Sequence, residues 1–297
     1  MIYSSIKILE VNMEYLELNN KVKIPVFGLG CGGIYNRIKL FNRDSINLFN
    51  VYFRTMKRGL NLLYDSEATG YHQYILGESL RLNKKVRKDI FVCTKLSNTQ
   101  QRTMSVEDAI KDSLKKLNVD YVDLYLMHWP QTETFVDSYL QMEEVYKKGY
   151  TRAIGVCNFN QHHLEEIEKY AHIVPAINQF EIHPLFTQTE LIDHCRKKGI
   201  QPMAYTPLGR MHDVLIKAKV LQELSKKYEK SVPQIIVRWD IQKNICVIPK
   251  TTKLHRVNEY LETFDFSLTN DEIKAIDDMN DNVRLRYNPD KCDFSRM

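Results

Sequence analysis

Short apolar runs alternate with longer amphipathic segments along most of this chain. Eight of the short runs are rich in β-branched and aromatic residues and are almost continuously apolar. This pattern is typical of strands that are buried on both faces of a parallel sheet. The predicted strands cover residues 26–30, 61–64, 90–94, 122–127, 153–156, 176–180, 202–205 and 246–248.

The segments between the predicted strands carry helix signals. Ser105 precedes two acidic residues and an apolar face with helical spacing, which predicts an N-cap followed by a helix. Residues 190–198 and 221–228 show the same pattern, and residues 268–279 predict a terminal helix. The chain is therefore expected to alternate strand and helix throughout.

Eight strand–helix units without a Pro-, Gly- or Ser-rich linker predict an α/β fold, a closed (β/α)8 TIM barrel that forms one domain over residues 1–297. A doubly wound open sheet is the alternative. We expect residues 1–15 to form an N-terminal tail, with a small β-hairpin in the first 24 residues that closes the barrel floor. The polar and aromatic C-terminal tail after Arg284 is expected to fold over the barrel mouth.

Composition limits the possible partners. The net charge is +5, and the lysines occur as dispersed doublets such as Lys84-Lys85 and Lys147-Lys148, so we expect no nucleic-acid partner. The sequence has no run of about 18 apolar residues and no signal-peptide core, so we expect no membrane association. The six cysteines form no CxxC pair and lack metal-ligand spacing, which favours reduced thiols, a cytoplasmic protein and no metal.

Polar residues follow or end most of the predicted strands. In a (β/α)8 barrel these carboxyl ends lie together and carry the active site. Lys95 follows a strongly apolar run, and a buried charge requires a partner, for which Asp65 is the natural candidate. The strand-end residues are Asp65, Lys95, His128, Asn158, Gln179, Tyr205 and Lys250.

Two chemical roles are open for Lys95. As a Schiff-base nucleophile of an aldolase-type barrel, it would need a lowered pKa and no carboxylate nearby. As a charged lysine paired with Asp65, it would instead lower the pKa of a neighbouring phenol, and Tyr71 lies close by in the sequence. Such a phenol can donate a proton to a carbonyl oxygen that His128 orients. The second role fits the sequence better.

Seven strings in this chain resemble the aldo-keto reductase family, over roughly residues 16–287. They are Ile24-Pro-Val-Phe-Gly-Leu-Gly, Asp89-Ile-Phe-Val-Cys-Thr-Lys-Leu, Asp120-Tyr-Val-Asp-Leu-Tyr-Leu-Met-His-Trp-Pro, Ala153-Ile-Gly-Val-Cys-Asn-Phe, Asn178-Gln-Phe-Glu-Ile-His-Pro, Ala204-Tyr-Thr-Pro-Leu-Gly and Val247-Ile-Pro-Lys. The resemblance implies a monomeric enzyme that acts on small carbonyl compounds. Such an enzyme reduces aldehydes and ketones to alcohols with NADPH, and a tyrosine donates the proton.

The resemblance also implies residue roles. The catalytic residues would be Asp65, Tyr71, Lys95 and His128, and the substrate would contact His128 and Trp129. Within the cofactor site, two carboxamides would hold the nicotinamide, Tyr205 would stack on it, and a basic cluster would bind the 2′-phosphate. The implied cofactor-binding residues are Gly30, Cys31, Asp65, Cys157, Asn158, Gln179, Tyr205, Thr206, Leu208, Gly209, Lys250, Thr251, Arg256 and Glu259.

The chain departs from the family pattern at the tyrosine. The family places Tyr five residues after Asp, but position 70 is Gly70 and Tyr71 comes one residue late, although Gly77 keeps its place twelve residues after Asp65. A compensated insertion and deletion would bring Tyr71 into the site. Alternatively the donor is displaced, and the protein is an NADPH-binding barrel with little catalysis that acts as a regulatory or redox-sensing module.

The family's Trp is also replaced at Ser97, which predicts a wider and less apolar substrate pocket.

Overall fold

The computed structural model describes residues 13–30, 43–58, 60, 62–66, 71–292 and 294. Eight of its strands form one parallel sheet in sequence order. The strands are β1 (Tyr15–Glu17), β2 (Lys23–Pro25), β3 (Gly28–Leu29), β4 (Leu63–Asp65), β5 (Phe91–Leu96), β6 (Leu124–Met127), β7 (Ile154–Cys157), β8 (Ile177–Glu181), β9 (Gln201–Tyr205) and β10 (Cys246–Val247).

The sheet closes on itself between β3 and β10. The Val247 N–H donates to the Val26 carbonyl at 2.8 Å, and the Gly30 N–H donates to the Pro249 carbonyl at 3.1 Å. A Cβ atom on Gly30 would lie only 2.8 Å from the Ile248 carbonyl oxygen, so this close approach requires glycine. The predicted (β/α)8 barrel is confirmed, and the open sheet is excluded.

Helices connect consecutive barrel strands or follow them on the outside. Ser105 caps α4 as predicted, and Thr269 caps α12; each accepts a hydrogen bond from a backbone N–H of the first turn. The helices are α1 (Arg43–Lys57), α2 (His72–Leu82), α3 (Asn98–Thr103), α4 (Val106–Leu117), α5 (Phe135–Lys147), α6 (Gln161–Glu168), α7 (Thr189–Lys197), α8 (Asp213–Lys217), α9 (Lys219–Tyr228), α10 (Val232–Gln242), α11 (Leu254–Leu261) and α12 (Asn270–Asp277). None of these described helices is long and apolar enough to cross a membrane.

Two strand boundaries differ from the prediction in a way that affects the site. The strand predicted at residues 26–30 is only Gly28–Leu29, although Phe27 before it also joins the barrel through a bridge to Val247. The strand predicted at residues 90–94 extends to Leu96, because its pairing with β6 continues to the Leu96–Met127 pair. Lys95 therefore lies within a strand of the barrel rather than after it.

The N-terminal hairpin covers the amino-terminal end of the barrel. The strands β1 and β2 pair in antiparallel fashion. Leu18 and Ile24 of this hairpin are buried among apolar side chains of the barrel strands. In the turn, the Asn19 amide donates to the Pro175 carbonyl and the Asn20 amide donates to the Arg152 carbonyl. The predicted hairpin at the floor is confirmed.

The C-terminal segment crosses the opposite end. The Val283 N–H donates to the Leu185 carbonyl in the loop after β8. Further along, the Asn160 amide donates to Asp290 at 2.8 Å, and Arg102 donates to the Phe294 carbonyl at 2.8 Å. Leu185 follows β8, Asn160 follows β7 and Arg102 follows β5. The segment therefore passes over the barrel mouth as predicted.

Candidate active site

A cavity of about 840 Å³ opens at the carboxyl ends of the barrel strands. It collects residues from β3, β4 and β6–β10 and from the segments that follow them, which is where a (β/α)8 barrel builds its active site. Most residues predicted for the site line this cavity. These are Gly30, Asp65, His128, Trp129, Asn158, Gln179, Tyr205, Thr206, Leu208, Lys250, Arg256 and Glu259.

Asp65 and Lys95 form a buried ion pair at the base of the cavity. The Lys95 Nζ atom lies 2.5 Å from one carboxylate oxygen of Asp65 and 2.6 Å from the other. The Lys95 side chain is 2% exposed and the Asp65 side chain is 5% exposed. A buried ammonium is tolerated because the carboxylate compensates its lost hydration. The predicted pairing is confirmed, and it argues against Lys95 as a Schiff-base nucleophile, since that role excludes a carboxylate at this distance.

Tyr71 lies at the N-cap position of α2, outside the residues that line the cavity, and is 39% exposed. Two contacts fix the position of this helix. A Cβ atom on Gly77 would overlap the Lys116 carbonyl of α4, and the buried Gln73 amide donates to Thr94 and Ser113. The helix therefore keeps the register that Gly77 predicted, and Tyr71 directly precedes its first turn.

His128, Asn158 and Tyr205 are linked by hydrogen bonds across the cavity wall. The Asn158 amide donates to the His128 carbonyl at 2.9 Å, and the Tyr205 hydroxyl donates to the Asn158 side-chain oxygen at 2.6 Å. Asn158 has a φ of 63°, a left-handed conformation that asparagine adopts more readily than most residues. Burial raises the pKa of Tyr205 well above its usual value, so its phenol stays protonated and acts as a donor.

Gln179 and Cys157 lie side by side on neighbouring strands. The Cys157 Sγ atom is 3.8 Å from the Gln179 side-chain oxygen, and the Gln179 amide nitrogen is 3.0 Å from the Met203 sulfur. Thiols and thioethers are weak hydrogen-bonding groups. The nearly buried Gln179 amide is thus held by weak partners, which a ligand amide can replace without a large loss.

Cationic side chains follow β10 at the start of α11. Lys250 and Arg256 are exposed and border the cavity. Thr251 forms a turn between them, accepting a hydrogen bond from the Lys253 N–H at 3.0 Å. Glu259 is held one helical turn further on, where it accepts a hydrogen bond from Ser231 at 2.5 Å.

The segment after β9 borders the same cavity in an unusual backbone conformation. Thr206, Gly209, Arg210 and Met211 all have φ values between 48° and 57°. A Cβ atom on Gly209 would lie 2.3 Å from the Leu215 side chain, so a larger residue there would displace that side chain. The segment therefore makes tight turns at the edge of the cavity, which Thr206, Leu208 and Arg210 line.

The residues of this cavity fit nicotinamide adenine dinucleotide phosphate. Amide side chains and a phenol lie at the ends of β7, β8 and β9, and two cations border the same cavity after β10. Amides recognise a carboxamide, whereas paired cations recognise a phosphate through charge-assisted hydrogen bonds. One cavity therefore offers both kinds of group.

Several predicted site residues do not line the cavity, and several that line it were not predicted. Lys95 is paired with Asp65 below the cavity, and Cys157, Gly209 and Thr251 directly adjoin lining residues in the sequence. Tyr71 lies at the N-cap of α2 away from the lining residues, and Cys31 lies outside the described residues. The unpredicted lining residues include Arg210, Met211, His255, Tyr260 and Arg286. Arg286 belongs to the tail expected over the barrel mouth, and that expectation was the signal that could have identified it.

Comparison with known proteins gives a consistent result. The model of the Aldo/keto reductase family matches residues 54–281. The chain is 40% identical over 281 residues to the uncharacterized oxidoreductase YtbE of Bacillus subtilis, covering 93% of this chain and 96% of the relative. It is 37% identical to a glyoxal reductase of the same organism, covering 94% of this chain and 97% of the relative.

Solved structures agree with this assignment. An aldo-keto reductase of Bombyx mori in complex with NADP superposes with a TM-score of 0.80 at 30% identity, covering 94% of this chain and 96% of that one. An aldo-keto reductase from a deep-sea metagenome gives a TM-score of 0.82 at 32% identity, covering 94% and 100%. The chain therefore belongs to the aldo/keto reductase family and is an oxidoreductase of that family.

Proposed function

We propose that this oxidoreductase reduces small aldehydes and ketones to alcohols with NADPH as its cofactor, and that Tyr71 donates the proton. The observation that carries the proposal is the buried Asp65–Lys95 pair beneath a cavity that also contains His128, Asn158 and Gln179. The glyoxal reductase of Bacillus subtilis and the NADP-bound relative of Bombyx mori support the reaction and the cofactor.

The cofactor residues divide into two groups. Asn158 and Gln179 would hold the nicotinamide carboxamide, and Tyr205 would stack on the ring. Lys250, Thr251 and Arg256 would bind the 2′-phosphate. Of the remaining cofactor residues, Gly30, Asp65, Thr206, Leu208 and Glu259 line the cavity. When bound, NADPH supplies the hydride.

The protein's own contribution is a proton for the carbonyl oxygen. In this proposal the Tyr71 hydroxyl donates it, and the positive charge of Lys95 stabilises the phenolate that forms. Asp65 holds the Lys95 ammonium in place, because its carboxylate contacts the Nζ atom with both oxygens. Asp65 therefore keeps the Lys95 ammonium fixed at the base of the cavity.

His128 and Trp129 would orient the substrate. His128 follows β6 directly, and its backbone is fixed from both sides, since its N–H donates to the Leu96 carbonyl and its carbonyl accepts from Asn158. Trp129 is 5% exposed and its ring lies 6.4 Å from that of Phe294 in the C-terminal segment. A polar imidazole beside an apolar wall suits a small carbonyl compound.

The second candidate is an NADPH-binding barrel with little catalysis that acts as a regulatory or redox-sensing module. The position of Tyr71 favours this candidate, because the side chain is 39% exposed and does not line the cavity. Loss of a general acid lowers a rate by about 10²–10⁴-fold without removing cofactor affinity. The two candidates therefore differ in turnover and not in binding.

One paired assay separates them. NADPH oxidation is followed with glyoxal and a panel of small aldehydes, and NADPH binding is measured on the same preparation by fluorescence. Saturable oxidation with stoichiometric alcohol formation supports the reductase. Tight NADPH binding without oxidation of any substrate supports the regulatory module and contradicts the reductase.

We also propose that the chain is a single barrel domain over residues 1–297 and a monomer in the cytoplasm. Four of the described cysteines, Cys93, Cys195, Cys246 and Cys292, are free thiols, which suits a reducing compartment. Light scattering coupled to size-exclusion chromatography tests the monomer, since a mass of twice 35.1 kDa contradicts it.

A further inference from the structure

We propose that Arg286 forms an oxyanion subsite of the substrate pocket and selects carbonyl substrates that carry a carboxylate. This inference rests on the proposed carbonyl reduction, and it adds a substrate class. Arg286 lies in the C-terminal segment and lines the same cavity as His128 and Tyr205.

A buried carboxylate fixes Arg286 at the barrel mouth. Glu181 ends β8, is completely buried, and accepts hydrogen bonds from the Leu285 N–H at 2.7 Å and from the Arg286 N–H at 3.0 Å. His183 lies 3.0 Å from the same carboxylate and is also completely buried. A buried carboxylate needs such donors, so the backbone at Arg286 is tied to the barrel.

Arg286 is half-buried and lines a cavity whose carboxylates are engaged elsewhere. Among the described residues, none of the ion pairs includes Arg286, and its guanidinium lies 5.9 Å from the Tyr287 ring. Of the two carboxylates that line the cavity, Asp65 is paired with Lys95, and Glu259 accepts from Ser231. A half-buried cation in this setting favours an anionic ligand.

The neighbouring arginine behaves differently. The Arg284 guanidinium lies over the Phe186 ring, 4.6 Å from its centroid, and Arg284 does not line the cavity. It has the same charge and lies two residues away in the same segment. Arg284 is therefore a matched control for Arg286.

The position of Arg286 points to the substrate rather than to a phosphate of the cofactor. Its N–H is bonded to Glu181, which pairs with Tyr205 across β8 and β9, and the Tyr205 hydroxyl is bonded to Asn158, so Arg286 lies on the side of the cavity where the carboxamide residues are. The cations proposed for the 2′-phosphate, Lys250 and Arg256, follow β10 instead. A carboxylate on the carbonyl substrate is the anion that this side of the cavity can receive.

The test compares two substrates that differ only in charge, 4-oxobutanoate and its methyl ester. In each reaction NADPH transfers a hydride to the aldehyde carbon, a proton adds to the oxygen, and the alcohol and NADP⁺ are released. The ratio of kcat/KM for the acid to kcat/KM for the ester is measured for the parent, Arg286→Met, Arg286→Lys and Arg284→Met. The dissociation constant of NADPH is measured for each protein.

We expect the parent to prefer the acid and Arg286→Met to lose about tenfold or more of that preference, as for other charge-assisted hydrogen bonds. Arg286→Lys should recover part of it, and Arg284→Met should keep the parent ratio. An unchanged ratio in Arg286→Met overturns the inference while leaving carbonyl reduction intact. Weakened NADPH binding with an unchanged ratio assigns Arg286 to the cofactor and also overturns it.

A binding measurement covers the case in which the parent reduces neither aldehyde. The product 4-hydroxybutanoate is titrated by calorimetry into the parent and into Arg286→Met, both saturated with NADP⁺. Binding to the parent that is lost in the variant supports the subsite independently of turnover. Absence of binding to the parent, or equal binding to both, contradicts it.

Discussion

Lys95 keeps its charge inside the barrel because Asp65 meets its ammonium group with both carboxylate oxygens. Removing one partner of a buried pair typically destabilises a protein by about 3–5 kcal/mol, since the other charge is left without compensation. The pair is thus a structural element of the site as well as a chemical one. Any variant of Asp65 or Lys95 must be checked for folding before its activity is interpreted.

The basic residues after β10 give a prediction on cofactor choice. Lys250→Ala and Arg256→Ala should each weaken NADPH binding by about tenfold or more and leave NADH binding nearly unchanged, because only NADPH carries the 2′-phosphate dianion. Fluorescence titration with both nucleotides measures this. Lys253→Ala, an exposed lysine of the same segment, is the control and should bind both nucleotides like the parent. Equal losses of affinity for NADPH and NADH would refute the proposed binding of the 2′-phosphate by Lys250 and Arg256.

Local sequence predicted some residue contacts and missed others for identifiable reasons. Asp65 could be predicted as the partner of Lys95, because a charge inside an apolar strand has few ways to be compensated. The sequence could place Arg286 in the tail over the barrel mouth, but it could not single this residue out as part of the cavity. Its position depends on backbone hydrogen bonds to Glu181, which lies 105 residues earlier in the chain, and no local pattern reveals such a contact.

At the scale of elements, the first turn of α6 holds the C-terminal segment. Asn160 donates to Asp290, and the Nε2 atoms of His162 and His163 lie 3.2 Å and 3.7 Å from the same carboxylate. The His163 Nδ1 atom accepts from the Asn160 N–H, which completes a capping box. Three side chains of one helix terminus thus meet one acidic residue of the segment over the mouth.

This contact should make stability depend on pH. Burial, assisted by the neighbouring His162 and opposed by Asp290, lowers the pKa of His163 to about 4 from 6.5. Between these values the unfolded chain binds more protons than the folded one, so the stability present above pH 6.5 is lost as pH falls towards 4. In His163→Gln the side-chain oxygen can still accept the hydrogen bond of the helix cap. We expect this variant to lose about 1 kcal/mol less of its free energy of unfolding between pH 7 and pH 5 than the parent, after solvent screening.

Urea unfolding at pH 7 and pH 5 measures the difference. His255→Gln is the control, because this histidine is exposed on α11 and should leave the pH dependence of the parent unchanged. The same loss on acidification in His163→Gln and in the parent would contradict the assignment.

The packing of α2 explains why its tyrosine could not be placed from sequence. Gly77 fits against α4 so closely that its register along the chain is fixed, and this register was predictable from the spacing to Asp65. The position of Tyr71 depends instead on the connection between Asp65 and α2, where the chain departs from the family pattern. Spacing alone left two hypotheses for that connection.

At the scale of the whole molecule, the barrel was predictable because its strands are continuous apolar runs and its helices begin with clear caps. Closure was less visible, since β3 and β10 are only two residues long and meet through single contacts such as the Gly30–Lys250 bridge. The need for glycine at Gly30 follows from the Ile248 carbonyl of the last strand, a contact that the first strand alone cannot reveal.

One buried acid is expected to lower the stability of the whole fold. Asp240 of α10 is completely buried, neither of its side-chain oxygens has a hydrogen-bond partner among the described residues, and burial raises its pKa well above the usual value. The unfolded chain releases this proton at lower pH than the folded one, so stability falls as pH rises above about 3.8. Asp240→Asn should therefore raise the free energy of unfolding at pH 7 by about 1 kcal/mol or more.

The gain should be larger at pH 8 than at pH 5, because the cost of keeping the folded side chain protonated grows with each pH unit above 3.8. Urea unfolding at both values measures it, and Asp271→Asn, an exposed acid of α12, should change stability by less than about 0.5 kcal/mol. A loss of stability in Asp240→Asn would mean that the carboxylate has a compensating partner in solution.

The central claim is that Tyr71 gives the proton in an NADPH-dependent carbonyl reduction. The most direct test is kcat for glyoxal reduction by Tyr71→Phe beside its NADPH dissociation constant, with Tyr74→Phe as a control, because Tyr74 is also exposed on α2, with its ring 6.4 Å away. We predict a fall in kcat of about 10²–10⁴-fold for Tyr71→Phe with NADPH affinity unchanged, and parental kinetics for Tyr74→Phe. Turnover by Tyr71→Phe at the parental rate would contradict the account.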